Sequence, residues 1–219
     1  MDQNSHDSVF NNETSQFLRI PLNRIGAVIG LKGSSKNQIE ELTSTKIIID
    51  SETGEVEIRP NKNLMDPIML FKSRDMVKAI GRGFTADQAL KLASDDMFLE
   101  IIPLKPIIGD KINHIKRVRS RLIGTKGRTR KALEELTKVN IMILGSTVSL
   151  IGTYENITTS KSSLMEIIKG AKIETVISKL EDSKNKNKKS ENILWKNEDE
   201  ATENTEDEVI DPFQDYKEE

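Results

Sequence analysis

Residues Ile29–Ile49 and Ile123–Ile143 align without a gap, and ten of the 21 aligned positions are identical. This internal copy constrains the fold more than any other feature of the chain. Its offset of 94 residues makes the duplicated unit a small domain and not a solenoid repeat, whose periods run roughly 20–50 residues. Each copy centres on two glycines three apart, Gly30-Leu31-Lys32-Gly33 and Gly124-Thr125-Lys126-Gly127, set between two helical patterns.

The second copy shows what such a loop is built to hold. Upstream of it, Ile112, Ile115, Val118 and Leu122 recur at three- and four-residue steps and mark one apolar helix face. Downstream, Ala132, Leu133 and Leu136 mark a helix opening near Arg128. The glycines permit a tight turn and a close approach of backbone N–H groups to a ligand, while the second helix turns its positive end there. From Lys111 to Lys131 there are nine Lys or Arg and no Asp or Glu, so an anion is the expected guest. The matching window Pro21–Glu41 sets Arg24, Lys32 and Lys36 against Glu40 and Glu41, a net charge of only +1.

Charge is divided along the chain. The 219 residues sum to −2, but residues 181–219 hold 14 acidic and 6 basic side chains, and residues 1–15 hold three acidic and none basic. The stretch 16–180 is therefore net +9, the footprint of a nucleic-acid binder. Residues 1–15 and 181–219 are expected to be disordered, with Trp195, Phe213 and Tyr216 as short anchors for a protein partner. The absence of cysteine excludes disulfides, thiol catalysis and cysteine zinc sites, and fits a reducing compartment. With no run of about 18 apolar residues and no signal pattern at the polar start, the expectation is a soluble, cytoplasmic protein with no membrane partner.

Read in order, each unit gives strand, helix, loop, helix, strand, strand, helix. In the first (16–95), a strand at Phe17–Ile20 precedes a short helix bearing Ile25, Val28 and Ile29. A helix over Ser34–Thr43 follows, with Ser34 or Ser35 as N-cap. Strands at Lys46–Asp50 and Glu55–Arg59 flank a turn at Glu52-Thr53-Gly54. A longer helix after Pro67 carries Ile68, Phe71, Met76, Val77 and Ile80, breaks at Gly81-Arg82-Gly83, and Thr85 caps the next. In the second (96–180), Met97–Ile102 is a strand, Pro103, Pro106 and Gly109 mark an irregular crossing, and the basic helix follows. Strands Asn140–Leu144 and Thr147–Ile151 and a helix over Asn156–Lys169 complete it.

A small α/β (α+β) unit with Gly-x-x-Gly between two helices resembles the KH domain, which clamps about four nucleotides of single-stranded nucleic acid. The element order matches its type I form, so the chain reads as two tandem KH domains. The resemblance implies that the loop holds the sugar-phosphate backbone while an aliphatic groove receives bases. That groove would be lined by Val28, Ile29 and Ile47–Ile49 in the first unit, and by Leu122, Ile123 and Ile141–Ile143 in the second. The residues assigned to RNA are Gly30, Leu31, Lys32, Gly33 and Lys36, then Arg119, Arg121, Gly124, Thr125, Lys126, Gly127, Arg128, Arg130 and Lys131.

Further stretches narrow the resemblance. Lys78-Ala79-Ile80-Gly81-Arg82-Gly83-Phe84, Phe98-Leu99-Glu100 leading to Gly109-Asp110, and Val148-Ser149-Leu150-Ile151-Gly152-Thr153-Tyr154-Glu155-Asn156-Ile157 are similar to the ribosome-assembly factors called partner of Nob-one, or Dim-two. The resemblance covers roughly 16–178. It implies binding to the 3′ region of small-subunit ribosomal RNA and work with a Nob-one-type endonuclease. Eukaryotic relatives have lost the first glycine loop, whereas Gly30 and Gly33 are present here, as in an archaeal member.

Other chemistries fit poorly. A P-loop needs Gly-x-x-x-x-Gly-Lys-Ser/Thr, but Leu31 stands five positions after Gly26 and Thr129 five after Gly124. Gly81-Arg82-Gly83 followed by Ala86 lies in a helical stretch, not after a strand as a dinucleotide fingerprint requires. The only histidines are His6 in the polar start and His114 on the basic helix, where a surface or groove place is expected. The carboxylate pairs Glu40-Glu41 and Glu134-Glu135 read as solvated helix faces or lysine partners. No catalytic residue, metal or cofactor is expected. Alternatives to ribosome assembly are a general KH regulator of RNA and a protein scaffold in an RNA-processing complex; a scaffold would show a degenerate or acidic glycine loop, whereas Lys32 and Lys126 are kept. Aromatics, at 4% of the chain, are too few for base stacking to be the main device.

Overall fold

A computed structural model of the chain describes residues 15–185; the expected anchors Trp195, Phe213 and Tyr216 lie outside these. The described chain holds two α+β units, each with a three-stranded antiparallel sheet backed by helices. In the first, strand β1 (Gln16–Arg19) leads to helix α1 (Ile25–Ile29), the glycine loop and α2 (Ser34–Thr43). Strands β2 (Thr45–Ile49) and β3 (Glu55–Pro60) and helices α3 (Ile68–Gly81) and α4 (Ala86–Leu90) follow. The sheet order is β1-β3-β2, so β1 and β2 are opposite edges. The second unit repeats this with β4 (Met97–Pro103), α5 (Lys105–Ile108), α6 (Ile112–Ile123), α7 (Arg128–Thr137), β5 (Asn140–Leu144), β6 (Thr147–Thr153) and α8 (Tyr154–Lys169), in sheet order β4-β6-β5. Residues 173–185 form a last helix, α9.

The identities between the copies have structural causes. Thr43 and Thr137 hydrogen-bond back to the carbonyls of Ile39 and Leu133, at 2.6 and 2.7 Å. Glu40 accepts the Ile47 amide and Glu134 the Ile141 amide, so each helix is fastened to the strand that follows it. Ile39, Ile47, Leu133 and Ile141 are buried in the two cores. Thr85 forms a capping box with Gln88, as its position before Ala86 predicts. In the β2–β3 turn, Asp50 accepts from the Thr53 hydroxyl at 2.7 Å and the Glu52 amide at 2.8 Å, and these bonds hold its carboxyl below the ordinary carboxylate range.

Strand β3 alternates buried and exposed residues, but Val148–Gly152 of β6 are all buried. Leu150 and Val148 face the helices of their own unit, while Leu99, Ile151 and Met142 pack into the apolar cluster of the first unit. The second sheet is thus covered on both faces, and full burial of an isoleucine such as Ile151 is worth about 1.5–3 kcal/mol. Gly83 sits at this contact with φ +111, where a Cβ would meet Met142 at 3.0 Å.

Several expectations are corrected. Neither Ser34 nor Ser35 caps α2: the cap is Gly33 in the left-handed region, with no side-chain bond, because Ser35 is buried beneath Gly30. The crossing at 103–109 contains one helical turn, with Pro106 inside its first turn, where a missing N–H costs nothing. Ile112, Ile68 and Phe71 are exposed and lie outside the apolar faces assigned to them. The tail does not begin at 181, since α9 continues to 185; Val176 and Leu180 fall one turn apart and bury against the second core. The remaining tail residues lie outside the described residues.

Candidate nucleic-acid interface

The two glycine loops share one backbone. Gly30 and Gly124 have φ/ψ of 75/178 and 72/173. Lys32 and Lys126 lie at 52/29 and 52/27, and Gly33 and Gly127 at 83/8 and 76/13. The first glycine is required on two counts. Its conformation is close to glycine-only, and a Cβ would stand 2.3 Å from Ser35 Oγ in one loop and 2.2 Å from Thr129 Oγ1 in the other. The second glycine is needed for conformation alone: no atom lies within 4 Å of a Cβ on Gly127.

Holding a lysine in the left-handed region costs of order 1 kcal/mol or more, and the turn that does so lifts Lys32 and Lys126 into solvent. Leu31, 84% exposed, and Thr125 flank them. Directly behind each loop, α2 and α7 begin on a glycine with no side-chain cap. Their first amides point toward the loop, and the helix dipole adds to the lysine charge. The geometry is a positively charged cradle suited to an anion such as a backbone phosphate, present twice.

The surroundings of the cradles differ. In the first unit Lys36 is within 3.8 Å of Glu40, which also draws Lys46 to 3.6 Å. In the second unit, Lys126, Arg128, Lys131 and Arg119 have no ion pair or side-chain hydrogen bond among the described residues, and Arg130 has only a 3.6 Å contact with Glu134. The positive field at the second loop is therefore less compensated.

Comparison with known proteins places both units among KH domains. Residues 98–185 match the second-domain model of the PNO1 type, described as a eukaryotic type KH-domain (KH-domain type I), and residues 30–95 match the Krr1 KH1 domain. A KH domain-containing protein of Methanocaldococcus jannaschii is 36% identical over 181 residues, which is 83% of this chain and 79% of that one. The crystal structure of Dim2p from Pyrococcus horikoshii is 42% identical with a TM-score of 0.73, covering 77% of this chain and 98% of that chain. The chain belongs to the Dim-two (PNO1) family of KH proteins. A second structure from that organism, a complex of a/eIF2alpha, aDim2p and rRNA, matches at 41% identity and a TM-score of 0.74, over 78% of this chain and 94% of that one.

In this Dim-two chain, the structure brings together Gly124, Thr125, Lys126, Gly127, Arg128 and Arg130 at one helix-start, and Gly30, Leu31, Lys32, Gly33 and Lys36 at the other. Other assigned residues are placed differently. Arg121 donates from Nη2 to the carbonyls of Gly170 and Ala171, at 3.0 Å to the former, and so ties α6 to the end of α8. Lys131 lines a crevice shared with Gln88 of the first unit. Arg119 is half-buried. Of the groove aliphatics, Val28, Ile47, Leu122 and Ile141 are core; Ile29, Ile49 and Ile123 keep partial exposure, and Ile29 and Ile123 directly precede the loops. His114 is exposed, with Nδ1 donating to the Ile108 carbonyl at 3.1 Å.

Proposed function

We propose that the chain holds single-stranded RNA through its glycine loops, with the second loop dominant. The observation that carries this is the left-handed Lys126 between Gly124 and Gly127, set before an uncapped helix start in a stretch with nine cations and no acidic side chain. Neutralising phosphates releases counterions and supplies much of nucleic-acid affinity, so the less compensated cradle binds harder. Ile123, partly exposed and next to Gly124, offers apolar contact to bases beside it. Arg121 contributes less to this surface, because its Nη2 already donates to the carbonyls of Gly170 and Ala171.

The RNA is the 3′ region of small-subunit ribosomal RNA, bound in the cytoplasm during ribosome assembly, alongside a Nob-one-type endonuclease that processes that end. Support comes from the family, from the archaeal relative crystallised with rRNA, and from the basic 16–180 stretch. The protein itself acts as a clamp and not as the nuclease. Its repeated carboxylates Glu40 and Glu134 are occupied with strand amides and neighbouring cations. Crosslinking the protein to cellular RNA and sequencing the attached fragments tests this directly. Enrichment at the small-subunit rRNA 3′ end is expected, and a scatter over messages would replace it with a general RNA regulator.

A further inference from the structure

Strand β1 is paired on one side only. It lies at the sheet edge opposite β2, the strand next to the first glycine-loop helices. The Ile20 amide donates to Gly54 O at 2.9 Å. Because bonding direction alternates along an antiparallel strand, Leu18 also bonds inward, while Phe17 and Arg19 turn their N–H and C=O groups to the open edge.

A cavity of about 560 Å³ runs along β1. Its other wall is α3 with its C-cap, where Arg74, Lys78 and the capping residue Arg82 stand four residues apart and form one stripe. Arg19 also lines it, and no Asp or Glu does. Arg74 is shared with Asp75 at 3.2 Å and with Gln16, and Arg19 donates from Nε to the Thr53 carbonyl. Lys78 and Arg82 have no side-chain hydrogen bond or ion pair among the described residues. Phe17, 72% exposed, stands at the rim.

We propose that this groove docks an extended acidic peptide of a partner protein, which adds to β1 as a fourth strand and sets its carboxylates on Lys78, Arg82 and Arg74. The open edge supplies donors and acceptors at the two-residue spacing of another peptide backbone. RNA suits it less, because the outward carbonyls of Phe17 and Arg19 would face phosphates with no donor to offer. The charge stripe selects acidic over basic strands, as electrostatic complementarity does at interfaces generally.

The test is fluorescence anisotropy of a labelled peptide of alternating glutamate and valine, titrated with the full chain. Saturable binding is expected. Lys78→Glu with Arg82→Glu should weaken it about ten-fold or more, and so should Phe17→Pro, which removes an outward N–H and no ladder bond. RNA affinity, measured on the same variants, should stay within about two-fold. If Phe17→Pro fails to fold by circular dichroism, the charge variant alone decides, since it alters helix-surface side chains only. Absence of saturable binding, equal binding of a lysine–valine peptide, or loss of RNA in place of peptide would overturn the proposal. Peptide binding that appears only after removal of residues 186–219 would also overturn it, by making the chain's own acidic tail the occupant.

Discussion

The carboxylate of Glu134 accepts the amide hydrogen of Ile141 at 2.8 Å, and Glu40 does the same for Ile47 at 2.7 Å. Each bond spans seven residues and fixes a sheet strand against the helix behind a glycine loop. Truncating Glu134 leaves a part-buried amide without its acceptor, a loss of about 1–3 kcal/mol. Glu134→Ala should therefore lower the urea midpoint clearly, while Glu135→Ala, at an exposed position, should stay within about 0.5 kcal/mol. Similar losses from the two would mean that the bond contributes nothing to stability.

The loop glycines differ in what they forbid. At Gly124 a Cβ meets Thr129 Oγ1 at 2.2 Å and the Thr129 backbone N at 2.9 Å; at Gly127 it meets nothing within 4 Å. Gly124→Ala should cost roughly 2–4 kcal/mol, from clash and backbone strain together, and Gly127→Ala about 1 kcal/mol from conformation alone. Denaturant unfolding of both variants gives the comparison, and the reverse order would contradict the geometry.

Arg121 is expected to act on stability and not on RNA. Arg121→Ala frees the carbonyls of Gly170 and Ala171 and should cost about 1–3 kcal/mol. The slope of log affinity for RNA against log salt should be unchanged, because no phosphate contact is lost. A slope shallower by about one would place this guanidinium on RNA after all.

The Asp50 carboxyl is held low chiefly by the Thr53 hydroxyl and next by the Glu52 amide. A folded-state value below the unfolded one gives stability that is present above the unfolded pKa and is lost as pH falls through the folded value. Asp50→Ala should therefore melt lower than the parent at neutral pH, and the two melting curves should converge in acid. A gap that persists at the lowest pH would show that the turn is held by something other than the charged carboxylate.

The glycine loops, the helices flanking them and the order of elements along the chain could be read from the sequence, because the 21-residue copy, displaced by 94 residues, keeps the glycines and apolar positions that the local geometry needs. What it hid depends on distant partners. Ser35 resembles a helix cap until Gly30 is seen packed on it. Arg121 sits among eight other cations, and only the end of α8, about fifty residues on, sets it apart. The apolar spacing of Ile173, Val176, Ile177 and Leu180 signals α9, but it is diluted by the charged residues around it. Burial of β6 on both faces follows from contact between the units, which no alternation within one strand announces.

The central claim is that two cradles of one shape are ranked by charge. Its most direct measurement is the affinity of a small-subunit rRNA 3′-end oligonucleotide for two folded variants, Thr125→Asp with Lys126→Asp and Leu31→Asp with Lys32→Asp. All four positions are exposed, so the substitutions place carboxylates in the path of the RNA backbone without entering either core. The second-loop variant should lose at least about ten-fold more affinity than the first-loop variant. Its salt slope should also become shallower by about one, as the Lys126 phosphate contact disappears. Equal losses, or a greater loss from Leu31 and Lys32, would contradict the account and make groove shape, not charge, the factor that decides where RNA is held.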